Sequence, residues 1–313
     1  MTRPPRPTCI PLKDGVAASC LALPHWPRQR ARPARLLDYL AERLPVLSQQ
    51  EWAERMAQGE VLDERGQPLA ATAPFVDGAR IYYWRWLADE PEIPFEACVI
   101  HRDEHLLIVD KPHFLPVTPG GRYARQTLMA RLRHAAGSDE PVPLHRLDRE
   151  TAGLVAFSVN PRTRGAYHQL FHQQAVRKVY EALAPWRDEL ASGGWLRRRS
   201  RIVPDPAAFF RQIEVAGEPN SETGLRLVEP RPQGLALYRL EPLTGRTHQL
   251  RVHLAALGAP IVGDQFYPVV RHGPLHREDF SQPLQLLARG LAFVDPLSGQ
   301  ERQFESARTL GTD

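Results

Sequence analysis

His145-Arg-Leu-Asp148-Arg-Glu-Thr151-Ala-Gly-Leu154 sets one carboxylate, Asp148, between Arg146 and Arg149 in a turn-like stretch. The apolar run Leu154-Val-Ala-Phe-Ser-Val159 follows at once and reads as a strand. A carboxylate flanked by cations at the mouth of a strand is a common way to build a reactive, ionised acid, because opposite charge favours the charged form. Surface ion pairs have the same local pattern, so the stretch needs support from the rest of the chain.

At 313 residues, 42% hydrophobic and 24% charged, the chain can build a substantial core in one large or two modest domains. No apolar run reaches the length of a membrane-spanning helix, and no membrane partner is expected. The apolar piece Val16–Leu23 is bracketed by Asp14 and Pro24, which argues against a secretory leader. Cys9, Cys20 and Cys98 have no metal-ligand spacing, and their odd number argues against a disulfide framework. A reduced, cytoplasmic protein is expected.

Charge is unevenly placed. The net charge is +4, yet residues 1–35 carry seven cations (Arg3, Arg6, Lys13, Arg28, Arg30, Arg32, Arg35) against Asp14 alone. A second basic run, Arg197-Arg198-Arg199-Ser200-Arg201, follows Trp195. Such segments suit a polyanion such as RNA, through phosphate contacts and counterion release. A solvated face in an arginine-rich chain has the same composition, and both readings stay open here. Only three lysines occur, Lys13, Lys111 and Lys178. In so arginine-rich a chain, Lys111 and Lys178 hint at places where a compact ammonium is needed.

Along the chain, residues 1–35 form a Pro- and Arg-rich segment, expected to be irregular apart from its apolar piece. Leu36, Leu37, Leu40 and Leu44 make a helical stripe that Pro45 ends. Ser48 can cap a second helix, Gln49–Gln58, in a Ser-x-x-Glu box with Glu51, and Gly59 stops it. Val61–Leu62 and Ile81–Trp86 read as strands around a turn at Gly66. Residues 36–90 thus form a small helix-helix-strand module, and Pro91 and Pro94 mark a linker. From about residue 96 strands dominate: Leu106–Asp110, Leu154–Val159, Val179–Ala184 and Leu235–Leu240. Helices are expected at Gln126–Arg133, after an Asn160 cap with Pro161 in its first turn, and after a Thr247 cap. The last helix carries the stripe Leu250, Leu254, Leu257 and ends at Gly258.

Arg251 lies off that stripe and can point toward a neighbouring cleft. Arg246, His248, Arg251 and His253 crowd a helix start, a density that suits anion binding, although an isolated helical arginine is ordinarily a solvated surface residue. Tyr180, in the strand Lys178-Val-Tyr180, is either an ordinary strand aromatic or a ring that stacks on a flipped base. The histidines make no metal pattern, and no glycine-rich phosphate loop or nucleophile elbow is present, so neither metal nor cofactor is expected.

In order along the chain come Asp110-Lys-Pro112, His145-Arg-Leu-Asp148 with Thr151-Ala-Gly-Leu154, and Lys178-Val-Tyr180. Thr244-Gly-Arg-Thr-His-Gln-Leu-Arg251-Val-His253 and Gly263-Asp264-Gln-Phe-Tyr267 complete the series. This series resembles the RluA-type family of RNA pseudouridine synthases over about residues 96–305. The resemblance implies an α+β fold, a mixed and mainly antiparallel sheet with flanking helices, as the catalytic domain after the N-terminal module. It implies cofactor-free isomerisation of uridine to pseudouridine in ribosomal or transfer RNA. It makes Asp148 the catalytic aspartate, Tyr180 the tyrosine beside the target base and Arg251 the partner of the aspartate. Arg146 would help open the RNA, and His145, Lys178, Arg246 and His248 join it as expected RNA contacts. A monomer is expected.

The chain departs from the family's pattern where Leu284-Gln-Leu-Leu-Ala288 places Leu287 at an expected histidine. Two other classes compete. A binding-only protein on the same fold would have no chemical reason to keep Asp148, Tyr180 and Arg251 together. A carbohydrate or nucleoside hydrolase would want a second carboxylate, for which Glu150 is the nearest candidate.

Overall fold

The computed structural model describes residues 7–27, 29, 31–85, 90–191, 193–273, 276 and 279–311. Arg3, Arg6, Arg28 and Arg30 of the basic N-terminal segment lie outside the described residues, as does Trp86 at the end of an expected strand. The chain divides into two compact units, Met1–Glu90 with Ala130–Asp139, and Pro91–Met129 with Glu140–Asp313.

In the first unit, β1 (Leu12–Lys13) pairs antiparallel with β2 (Val16–Ala17). β3 (Ser19–Ala22), α1 (Leu36–Arg43), α2 (Gln49–Ala57), β4 (Val61–Asp63) and β5 (Arg80–Tyr83) follow, with the strands in the order β3-β5-β4. The apolar piece Val16–Leu23, set apart from the irregular remainder of the segment, supplies the edge strand β3. It finds backbone partners on β5, which no local pattern reveals. α2 begins as expected: the Ser48 side chain accepts from the Glu51 amide, and Glu51 returns a bond to the Ser48 amide at 2.7 Å. Leu36, Leu37, Leu40, Trp52 and Met56 join Val61, Phe75 and Ile81 in one core.

In the second unit the strands are β6 (Cys98–Arg102), β7 (Leu106–Lys111), β8 (Val142–Pro143), β9 (Ala152–Ser158), β10 (Arg177–Pro185) and β11 (Leu196–Pro204). They continue with β12 (Gln212–Val215), β13 (Ser221–Arg231), β14 (Leu235–Pro242), β15 (Leu286–Val294) and β16 (Glu301–Glu305). The helices are α3 (Leu128–Ala136), most of which counts with the first unit, α4 (Arg164–His172) and α5 (Gln249–Ala256). The main sheet runs β12-β11-β13-β14-β10-β15-β9-β7-β6, with β16 on β15 and β8 on β9. Every pairing is antiparallel except β15 with β9, so the sheet is mixed and mainly antiparallel, as expected.

The central strands explain the layering. β7 and β9 are buried at every residue and carry the continuous apolar runs Leu106–Val109 and Leu154–Phe157, as strands covered on both faces do. α5 lays Leu250 and Leu254 on Ala182, Leu225, Tyr238 and Leu240, with Tyr180 at the margin of the same cluster. Gly153 is where β9 meets β15: its φ is +109°, and a Cβ there would sit 2.3 Å from the Ala288 carbonyl oxygen. Only glycine fits this close parallel approach, which places the strand after Asp148 beside the strand next to Tyr180. Leu287 is fully buried in β15, consistent with a packing role for the residue that replaces the expected histidine.

Two helix starts differ from expectation. Asn160 bonds the Arg162 amide at 3.0 Å in a turn, and α4 begins only at Arg164. α5 has no Thr247 cap; its N-cap is His248 in the left-handed region, φ 56°. Gln249 takes over, accepting from the Thr244 hydroxyl at 2.7 Å and the Arg246 amide at 3.1 Å while donating to the Glu222 carbonyl at 3.0 Å. The competing tertiary bonds outweigh the local cap.

Candidate active site

A cavity of about 460 Å³ opens within the second unit, between the turn before β9, strand β10 and the start of α5. All eight residues singled out from the sequence line it: His145, Arg146, Asp148, Lys178, Tyr180, Arg246, His248 and Arg251. Asp148 is the sole carboxylate among the lining residues, against the cations Arg146, Arg149, Lys178, Arg246 and Arg251. Such a wall attracts a polyanion and leaves a single acid to do chemistry inside it.

Asp148 is only partly exposed. Its Oδ2 lies 3.5 Å from Arg251 Nη1 and 3.9 Å from His248 Nε2. The flanking arginines that drew attention to it turn elsewhere. Arg149 donates to Glu150 at 2.9 Å and to the Tyr123 hydroxyl at 2.9 Å, while Arg146 is exposed at the rim. The cation facing Asp148 is thus over a hundred residues away, where no local pattern could show it.

Arg251 is buried, not a surface group, because α5 is enclosed over Gln249–Leu254. Its fork is held bidentately by Asp264, Nε to Oδ2 at 2.8 Å and Nη2 to Oδ1 at 2.8 Å. Asp264 also accepts from the Phe266 and Tyr267 amides, at 2.8 and 3.1 Å. The remaining Nη1 faces Asp148 and, at 3.9 Å, Glu150. Three carboxylates keep the guanidinium charged against its burial. The sequence motif held Asp264 but gave no sign of this role.

Tyr180 and Lys178, two apart on β10, share a face of the sheet and both line the cavity. Burial, then the charge of Asp148, pushes the Tyr180 hydroxyl well above its ordinary range, so it stays neutral. Lys178 lies 5.6 Å over the Phe171 ring, and burial lowers its ammonium. His145 stacks on the same Phe171 ring, with centroids 4.8 Å apart. Its Nε2 accepts the Ala156 amide at 3.1 Å, and burial next to Lys178 brings it down to about 3. His145 is therefore a neutral strut joining the Asp148 turn to β9.

His248 Nδ1 lies 3.0 Å from the Tyr267 hydroxyl, and burial lowers it despite the opposing pull of Asp148. Arg246 is exposed and donates to the Asn220 carbonyl at 3.1 Å. His253, grouped with these in the sequence, is instead buried among Ser200, Ser221 and Thr223 at 2.9–3.1 Å and lies away from the cavity.

Lysine scarcity and the Asp110-Lys-Pro112 motif both single out Lys111 in the sequence. It is fully buried, and its Nζ donates to the carbonyls of Pro112 at 2.9 Å and Arg149 at 3.1 Å. Burial lowers it to about 7, against the opposing pull of Glu150 and Asp148. The second carboxylate a hydrolase would need is drawn off: Glu150 pairs with Arg149 and does not line the cavity.

Comparison with known proteins converges on one family. Residues 105–256 match the family described as RNA pseudouridylate synthase. An uncharacterized RNA pseudouridine synthase of Synechocystis is 32% identical over 232 residues, covering 74% of this chain and 79% of that one. The dual-specificity RNA pseudouridine synthase RluA of Pasteurella multocida is 30% identical over 221 residues, 66% of this chain and 91% of that one. The chain belongs to the RluA-type family of RNA pseudouridine synthases. As an RNA pseudouridine synthase it also shares its fold with human RNA pseudouridylate synthase domain containing 1, with a TM-score of 0.55 and 26% identity over 70% of this chain and 86% of that one. The matched segment of the synthase carries Asp148, Tyr180 and Arg251.

Proposed function

We propose that this synthase isomerises specific uridines in ribosomal or transfer RNA, without cofactor or metal, with Asp148 as the catalytic carboxylate. The observation that carries the reading is the lone Asp148 in a wall of five cations. The glycosidic C–N bond breaks, the uracil turns, and a C–C bond forms from uracil C5 to the same ribose carbon; the C5 hydrogen is lost to solvent as a proton and N1 takes one up. The composition of the RNA is unchanged, so no water or cosubstrate is consumed and no second acid is required to expel a leaving group. Positive charge develops on the ribose as the bond breaks, and a carboxylate meets it, as in glycosidases.

Arg251, anchored by Asp264, keeps Asp148 ionised and aimed. Tyr180 stays protonated and offers its ring to the displaced base. Taking the base out of its stack costs a few kcal/mol, which the cationic rim of Arg146, Lys178 and Arg246 offsets through phosphate contacts. Two relatives are named as dual-specificity RNA pseudouridine synthases, and a 30% identical relative from Vibrio vulnificus is named tRNA pseudouridine synthase C, which supports a structured RNA substrate. The synthase acts as a monomer in the cytoplasm, with residues 36–90 as an RNA-binding module and residues 96–305 as the catalytic domain. Incubating purified ribosomal and transfer RNA, labelled with tritium at uridine C5, releases tritium wherever pseudouridine forms. Release from neither RNA would refute the proposal.

A further inference from the structure

The basic run on β11 is not absorbed by the cavity. In a strand alternate side chains face opposite ways, and here they separate sharply. Arg198 turns inward and pairs with Glu214, whereas Arg197, Arg199 and Arg201 project from the other face and are exposed. Arg197 and Arg199, 73% and 63% exposed at the side chain, share a single carboxylate, Glu222, at 3.1 and 3.5 Å. Arg197 pairs in register with Gly224, where a Cβ would sit 3.4 Å from the Trp195 ring, so the indole lies on the same face as these arginines. That ring is 48% exposed and has the Arg226 guanidinium 5.2 Å from its centroid.

This strip joins the cavity through two short chains of bonds. The Glu222 amide donates to the Thr244 hydroxyl at 2.9 Å, and Thr244 lines the cavity, while the Glu222 side chain holds the two arginines. Arg246, at the cavity rim, bonds the Asn220 carbonyl, and the Asn220 amide bonds Ser200 on β11 at 3.0 Å.

We propose that Arg197, Arg199 and Arg201, with Trp195 on Arg226, form a track that binds single-stranded RNA flanking the target uridine as it leaves the cavity. The inference rests on the RNA reading above and extends it to a second surface. Exposed arginines spaced two residues apart fit phosphate contacts, and an exposed indole fits base stacking. Glu222 is then a competitor that RNA displaces. The opposing account is that charged side chains merely guard the edge strand against pairing with another chain.

The test uses the full chain and fluorescein-labelled oligouridylates, one of about 20 nucleotides and one of about 6, long and short against the span of one single-strand site. The variant Arg197→Gln/Arg199→Gln/Arg201→Gln should bind the long probe at least about tenfold more weakly at low salt. Its slope of log affinity against log salt should fall by about 2, three phosphates at about 0.7 each. Binding of the short probe should not change. Glu222→Gln should tighten the long probe, an opposite sign that edge guarding does not produce. Unchanged affinity and slope in the triple variant, or no preference of the wild type for the long probe, would overturn the track. Self-association of the variant with unchanged RNA affinity would do so in favour of the edge account. Tritium release at saturating RNA separates the two readings: wild-type release with unaltered variant binding refutes the track alone, and lost variant binding without wild-type release refutes the synthase reading alone.

Discussion

Replacing Lys111 with methionine probes the buried amine that holds the Arg149 carbonyl, next to Asp148 in sequence. The wild-type ammonium is fully buried and lowered to about 7 from the ordinary 10.5. Between these values the unfolded chain holds a proton that the folded protein has released, so stability rises with pH across that window. The slope approaches about 1.4 kcal/mol per pH unit, and the gain from about pH 7.5 to about pH 9.5 is about 2.5 kcal/mol. Lys111→Met removes the titration and leaves the contributions of every other group in place. The variant should therefore lose stability relative to wild type by about 2.5 kcal/mol over that interval, on top of a constant offset from the two carbonyls left without their donor. Urea unfolding followed by far-ultraviolet circular dichroism reads this as a midpoint gap that widens by about 1 M. A gap that stays constant with pH would refute the reasoning, showing that Lys111 is not held as a lowered, buried amine.

Asp264→Asn keeps the acceptor for the Phe266 and Tyr267 amides but leaves the Arg251 fork without its bidentate partner. It should cost about 3 kcal/mol, at the low end for one partner of a buried pair because Asp148 and Glu150 remain, and lower Tm by about 6–12 °C. A scanning calorimetry trace unchanged from wild type would contradict that anchor. Gly153→Ala must place a Cβ 2.3 Å from the Ala288 oxygen at a φ of +109°. It should cost more than about 3 kcal/mol in the same experiment, and a variant within about 1 kcal/mol of wild type would show that β9 and β15 part easily there.

Much of this was legible in the sequence because it is local or repeated in order. The Ser48–Glu51 box, the apolar runs of β7 and β9, and the stripe of α5 each follow from short-range chemistry. The site residues were legible as an ordered series of motifs. Asp148 drew attention through Arg146 and Arg149, yet its charged neighbour in space is Arg251, because the turn directs Arg149 to Glu150 and Tyr123. Asp264 and Lys111 stood in quoted motifs, but their roles stayed hidden because these depend on burial and on partners distant in sequence. The Thr247 cap failed for a related reason: Gln249 satisfies the helix start through bonds to Thr244 and Glu222, which only the folded sheet supplies. The apolar piece that forms β3 stood out from its Pro- and Arg-rich surroundings, but its partner β5 lies about sixty residues on, and the pairing had no local sign.

The central claim is that Asp148, alone among the acids, carries the isomerisation. Asp148→Asn is close to isosteric and sits at a partly exposed position, so it should fold as the wild type does. Single-turnover tritium release from C5-labelled RNA, with enzyme in excess, measures the chemical step directly. The account predicts that Asp148→Asn binds the RNA with near wild-type affinity and forms no detectable pseudouridine; release at a rate near that of the wild type would contradict it.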